Sequence, residues 1–216
     1  MSYASTVQLS LQHLFGEEAF VLVDKEYALA QNETISFTRL KYYLGNVVFS
    51  FKDGRTYREG VNYHLIDLEQ QESLLVQFND VPEGQLKAIT FSIGVDSLSN
   101  SNGLMDGDLD PLKGMYWAWS SGFINFKIEG TLIREETANE FTYHIGGFIA
   151  PNESFQMKSI ELDKKLENDF LNIEMDVDLK MLFMGNRRSD LSQIMSPSLK
   201  AKEFSAQLSS IFSIKK

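Results

Sequence analysis

Strict alternation of apolar and polar residues over residues 171–183 constrains this chain more than any other feature. Leu171, Ile173, Met175, Val177, Leu179, Met181 and Phe183 share one parity, while Asn172, Glu174, Asp176, Asp178 and Lys180 take the other. A helix would scatter those residues around its circumference, so the pattern predicts a long antiparallel strand with one wet face. The same period recurs in Val7, Leu9 and Leu11 against Gln8, Ser10 and Gln12. It appears again in Ile89, Phe91, Ile93 and Val95, and in Ile124, Phe126 and Ile128 against Asn125, Lys127 and Glu129. Further strands are expected at 46–52, closed by the turn Asp53-Gly54, and at 73–78, 140–145 and 155–162. Strands at this spacing, parted by turn residues, indicate a mainly β fold, an antiparallel two-sheet β-sandwich.

Two segments break the pattern. Residues 95–113 form a long polar stretch rich in Ser, Asn, Gly and Asp, expected to be a loop. Near the C-terminus, Ser196-Pro197 reads as an N-cap followed by proline at the first helical position. Phe204, Leu208, Ile211 and Phe212 then fall on one helical face, which predicts a closing helix within 190–214. With no internal repeat or linker, the 216 residues are read as one domain, its core spanning roughly 7–182.

Composition removes several function classes. The formal net charge of −10 argues against a nucleic-acid partner, because phosphate backbones require clustered Lys and Arg. The chain has no cysteine, which excludes disulfides, thiolate metal sites and cysteine nucleophiles. No apolar stretch is long enough to span a bilayer as a helix. The start, Met1-Ser2-Tyr3-Ala4-Ser5, is no signal peptide, so the protein is either cytoplasmic or written here without a removed leader.

Candidate chemistry is sparse. His13, His64 and His144 show no HxH or HExxH spacing. His13 continues the inward parity of Val7, Leu9 and Leu11 to a strand end, where an imidazole needs a partner and a metal is one candidate; a structural hydrogen bond is the commoner role for any one of the three. The facing of His144 is not fixed by parity. Asp106-Gly107-Asp108-Leu109-Asp110 has the look of a calcium loop, but it lacks the terminal Glu and flanking helices of an EF-hand, so ordinary turn chemistry outweighs calcium there. Nucleophile elbows, phosphate loops and zincin motifs are missing, and an Asp-based hydrolase in 95–113 stands only as a formal competitor. Both tryptophans, Trp117 and Trp119, lie two apart, so on a strand they would face the same way as Met115.

These residues carry a resemblance. The segments Phe91-Ser92-Ile93-Gly94-Val95-Asp96-Ser97, Gly107-Asp108-Leu109-Asp110-Pro111, Gly114-Met115-Tyr116-Trp117-Ala118-Trp119-Ser120-Ser121-Gly122-Phe123 and Lys127-Ile128-Glu129-Gly130 resemble the signature block of the MbnP-like family. Upstream, Phe37 to Asn46 (FTRLKYYLGN) and Tyr63-His64-Leu65-Ile66-Asp67 resemble its earlier blocks, and Phe141-Thr142-Tyr143-His144-Ile145-Gly146-Gly147 its histidine–glycine block. The resemblance implies a non-enzymatic copper-binding protein, periplasmic or anchored at the outer membrane as a lipoprotein, with a diheme peroxidase as partner. It further implies copper held by histidines and by a kynurenine made from tryptophan. Carried over, His13 and His144 are the expected ligands, His64 a lesser one, Trp117 the oxidised residue and Trp119 its alternative. No histidine stands beside the tryptophans, a departure from relatives that have one there. The competing expectation is a metal-free envelope interaction module on the same sandwich, with the tryptophans as anchors for a partner or glycan.

Overall fold

A computed structural model describes residues 4–30, 32–61, 63–103, 106–119, 122–167, 169–184 and 193–215. In chain order the strands are β1 (Ala4–Phe15), β2 (Glu18–Ala19), β3 (Glu26–Ala30), β4 (Glu33–Phe51), β5 (Thr56–Arg58), β6 (Tyr63–Asp67), β7 (Leu75–Pro82) and β8 (Gly84–Ile93). They continue as β9 (Tyr116–Trp117), β10 (Gly122–Arg134), β11 (Thr137–Gly146), β12 (Gln156–Leu166), β13 (Phe170–Asp178) and β14 (Phe212–Ile214). The described residues also hold two α-helices, α1 (Ser97–Asn102) and α2 (Leu199–Ser205), and several short 3-10 turns. The architecture is mainly β, two sheets packed as an open sandwich with a C-terminal helix.

One sheet runs in the order β14, β13, β1, β2, with β7 also paired to β1. The other runs β11, β10, β4, β8, β12, with β3, β5 and β6 added to β4 and β9 to β10. Their inner faces meet in a core that includes Val7, Leu9, Phe37, Tyr42, Phe91, Phe126, Ile173 and Met175. Aromatic rings touch one another across it; Phe37 alone has ring neighbours in Phe15, Phe20, Tyr27, Phe141 and Phe183. Such contacts favour tilted and edge-to-face geometry and fix the sheets relative to one another.

A second apolar cluster lies on the opposite face of the larger sheet. Tyr43, Tyr63, Leu65, Phe123 and Ile124 meet Val95, Leu109, Met115 and Trp117 there. The cluster exists because the connection from β8 to β10 folds back over the sheet. Residues 95–113, expected to be a plain loop, contain α1 and two 3-10 turns, Gly107–Leu109 and Pro111–Lys113. Asp96 caps α1, its carboxylate accepting from the Ser99 amide at 2.7 Å. This cover also corrects the expected wet face of β10, where Asn125 and Lys127 are buried.

Two further expectations need correction. The strand expected over 171–183 ends at Asp178, whose carboxylate accepts from Lys180 N at 3.0 Å and Gly16 N at 2.8 Å; Leu179–Phe183 is a 3-10 turn. The same strand pairs parallel to β1, from Thr6 opposite Phe170 to Leu14 opposite Asp178. Alternation fixes which face a residue takes but is indifferent to strand direction, and no hairpin links these two strands to impose one. At the C-terminus the N-cap is Ser198, not Ser196, with its hydroxyl accepting from Ala201 N at 3.1 Å. Leu208, Ile211 and Phe212 are buried as expected, but a 3-10 turn follows α2 and the chain then joins the smaller sheet as β14. Among the described residues no helix is long and apolar enough to cross a membrane.

Candidate functional site

The register of the larger sheet sets one row of its covered face: His144 on β11 opposite Lys127 on β10, Lys127 opposite Lys41 on β4, and Lys41 opposite Asp67 on β6. The next row places Thr142, Glu129 and Arg39 side by side. Diagonally between the rows, His144 Nε2 lies 2.7 Å from Glu129 Oε1. Glu129 also receives Arg39 Nη1 at 3.7 Å, and Lys41 Nζ meets Asp67 Oδ2 at 2.7 Å. Lys127 donates to the carbonyl of Gly114, tying the covering segment to the sheet. Burial draws the Lys127 ammonium below its ordinary pKa, opposed by Glu129.

The imidazole of His144 is pulled below its ordinary pKa by burial, against the Glu129 hydrogen bond that favours the charged form and with the Lys127 charge that disfavours it. A neutral ring with Nε2–H donating to a carboxylate keeps its lone pair on Nδ1, the form in which histidine ligates metals. Among the described residues that Nδ1 has no hydrogen-bond partner.

Two residues farther along β11, on the same face as His144, stands Gly146. The ring of Trp117 rests on it, for a Cβ placed there would meet Trp117 Cζ3 at 2.6 Å. Trp117 is held in the short β9–β10 pairing, opposite Gly122, and is 7% exposed. Trp119 lies in the turn after β9 and is 67% exposed, its ring centroid 5.6 Å from that of Trp117. Only Trp117 of the pair lies on a strand, because β9 ends there, so the condition for a shared strand face is not met.

The three histidines occupy three separate places. His13 faces the core between the sheets, Nε2 3.0 Å from the Tyr42 hydroxyl. Tyr42 points to that core while its neighbour Lys41 points the other way, so the larger sheet stands between His13 and His144. Burial depresses the His13 pKa to about 3. His64 pairs with Glu59 at 2.8 Å, meets the Phe78 ring edge-on and lines a cleft of about 610 Å³ with Lys41, Asp67, Asp108 and Lys113. Among the described residues no group of three or more His, Asp or Glu is arranged to hold a metal. In the acidic turn, Asp108 is engaged by Lys113 and by Leu65 N at 2.9 Å, and Asp110 accepts from Leu112 N at 2.9 Å.

Sequence reasoning passed over Glu129 and Gly146 as site residues. Glu129 looked like any wet-face residue of an alternating strand, and its tie to His144 depends on the β10–β11 register. The small residue at 146 was visible in the sequence, but the ring that needs the space was not.

A solved structure described as MbnP from Methylosinus trichosporium is similar to this chain, with a TM-score of 0.62, 14% identity and 98% of each chain covered. At that identity the likeness shows the fold alone. No curated protein matches the sequence. The family model of MbnP matches residues 4–200, nearly the whole chain with its β10–β11 corner inside the match. The chain belongs to the MbnP family.

Proposed function

We propose that this chain is a methanobactin-associated, copper-binding protein of the cell envelope, with copper held at the corner formed by His144 and Trp117. The observation that carries this reading is the His144–Glu129 pair, a neutral imidazole backed by a carboxylate, on the same face of β11 as the Trp117 ring.

The donor set decides what must happen for copper to stay. Indole N–H is a donor only, so with Trp117 intact the corner offers copper one good ligand. Cleavage of the indole C2–C3 bond with both oxygen atoms taken from an external oxidant of the dioxygen class would give N-formylkynurenine, and hydrolysis would release formate and leave an aromatic amine as a second ligand, enough for Cu(I), which suits imidazole and accepts few ligands. No histidine stands beside the tryptophans in the sequence, so a ligand of that kind is lacking, and His13 and His64 lie outside this corner. The periplasmic or outer-membrane location, lipoprotein anchor and diheme peroxidase partner follow from family membership as part of the same proposal.

Cu(I) titration against a competing chelator tests it, on protein whose intact mass shows whether one tryptophan has been oxidised. The expected result is at least tenfold weaker binding in His144→Ala and in Trp117→Phe, with His13→Gln unchanged. Equal affinity in all four proteins would remove the corner as the site.

A second reading, a metal-free interaction module, is favoured by the exposure of Trp119. It predicts an unmodified Trp117, no copper retention and a partner whose binding is lost in Trp119→Ala.

A further inference from the structure

The sandwich is open along one side. There β14, the end strand of the smaller sheet, lies beside β12, the end strand of the larger one. Among the described residues neither has a second strand on its outer side. Between them runs a groove of about 570 Å³, lined by residues 158–164 of β12 and 212–215 at the chain end.

The direction of the backbone groups follows from the ladder. In an antiparallel pair, successive residues point alternately toward and away from the partner strand. Lys215 N donates to Glu174 O at 3.1 Å, so Ser213 also turns toward β13. Ile214 then directs its N–H and C=O the other way, into the groove that it lines. An added strand satisfies such groups by continuing the ladder.

The side chains narrow what that strand can be. Ile160, Leu162, Phe212 and Ile214 all pack on the core and give the groove an apolar floor. Lys158 has the parity of Ile160 and Leu162 and so faces the same side. With Lys164 and Lys215 it lines the groove against two carboxylates, Glu161 and Asp163, and Asp163 is already taken by Lys52 at 2.6 Å. Lys158 and Lys164 have no ion pair among the described residues. Lysines on an edge strand hinder pairing with another chain, because a neutral or basic strand laid over them leaves their charge unanswered. A strand that brings carboxylates does not meet that obstacle.

We propose that this groove is a docking site for an extended acidic segment of a partner protein, which adds to β14 as a strand. It lays apolar side chains on Ile160, Leu162, Phe212 and Ile214 and brings carboxylates to Lys158 and Lys164. The groove lies at the opposite edge of the larger sheet from β11, so this contact does not depend on the copper corner.

A short capped peptide of valine and glutamate, its lysine analogue and a fully N-methylated form of the glutamate peptide test this. Fluorescence anisotropy should show the glutamate peptide binding at least tenfold more tightly than either control. Amide exchange at Ile214 should slow on binding, while that at Lys215, already bonded to β13, stays as it was. Lys158→Glu should reverse the preference between the glutamate and lysine peptides. Ile214→Pro, which removes only the groove-facing N–H, should weaken binding at least tenfold with an unchanged circular dichroism spectrum. The proposal is overturned if the glutamate peptide fails to bind the wild-type protein, if the N-methylated form binds equally well, or if Lys158→Glu leaves the preference as it was. A wild-type dimer that Ile214→Pro converts to monomer would assign the groove to a second copy and overturn it too.

Discussion

The ring of Trp117 lies on the bare backbone of Gly146, so closely that a methyl group there would stand 2.6 Å from Cζ3 and 2.6 Å from the Phe123 carbonyl oxygen. Gly146→Ala must therefore displace either an aromatic ring or a strand, at a cost of about 1–3 kcal/mol. The displaced indole should become more exposed. Urea unfolding together with tryptophan emission checks this: a red shift shows the ring giving way, and an unshifted maximum together with wild-type stability would show that the ring does not rest there.

The tryptophans should differ sharply in what they contribute. Trp117 belongs to the apolar cluster under the β8–β10 connection, and truncation to Ala should cost about 3–5 kcal/mol. Trp119 is mostly in solvent, and its truncation should cost less than about 0.5 kcal/mol. Chemical denaturation of the two variants side by side measures the contrast.

Asn125 pins the covering segment from beneath. Its buried side chain accepts from Val95 N at 2.9 Å and donates to Ser154 Oγ at 2.9 Å. Asn125→Ala would leave the Val95 amide without an acceptor in a dry setting, costing about 1–3 kcal/mol. Hydrogen exchange at Val95 should accelerate in this variant while β1 and β13 stay protected.

Stability should fall in mild acid through the buried histidines. His13 has a pKa near 3 when folded, against 6.5 unfolded, so between those values the unfolded chain binds a proton that the folded chain refuses. Stability from this source is complete above pH 6.5 and is lost as pH drops, at about 1.4 kcal/mol per unit. His144, displaced in the same direction, adds to the upper part of that window. Urea midpoints measured at pH 5.5 and 4.5 should show His13→Gln losing about 1.4 kcal/mol less than the wild type, and parallel losses would contradict this.

Much of the fold was legible because β1, β8 and β13 each bury one face, and burial of one face writes period two into the sequence. The middle of β4 was not legible for the converse reason. Tyr42, Tyr43 and Leu44 are all buried, one face against the smaller sheet and the other under the 95–119 cover, so no alternation survives. The inward turn of His13 could be read from parity. Its separation from His144 could not, because that depends on which sheet each strand joins. The His144–Glu129 contact likewise depends on a register, which no single strand reveals.

In the smaller sheet, β1 takes β13 on one side and β7 on the other, strands drawn from the far end and the middle of the chain. Proteolytic removal of those first strand residues would free two long edges at once, each able to recruit a strand from a neighbouring molecule. Residues 4–15 thus close both of those edges at once, and cleavage within them should promote self-association.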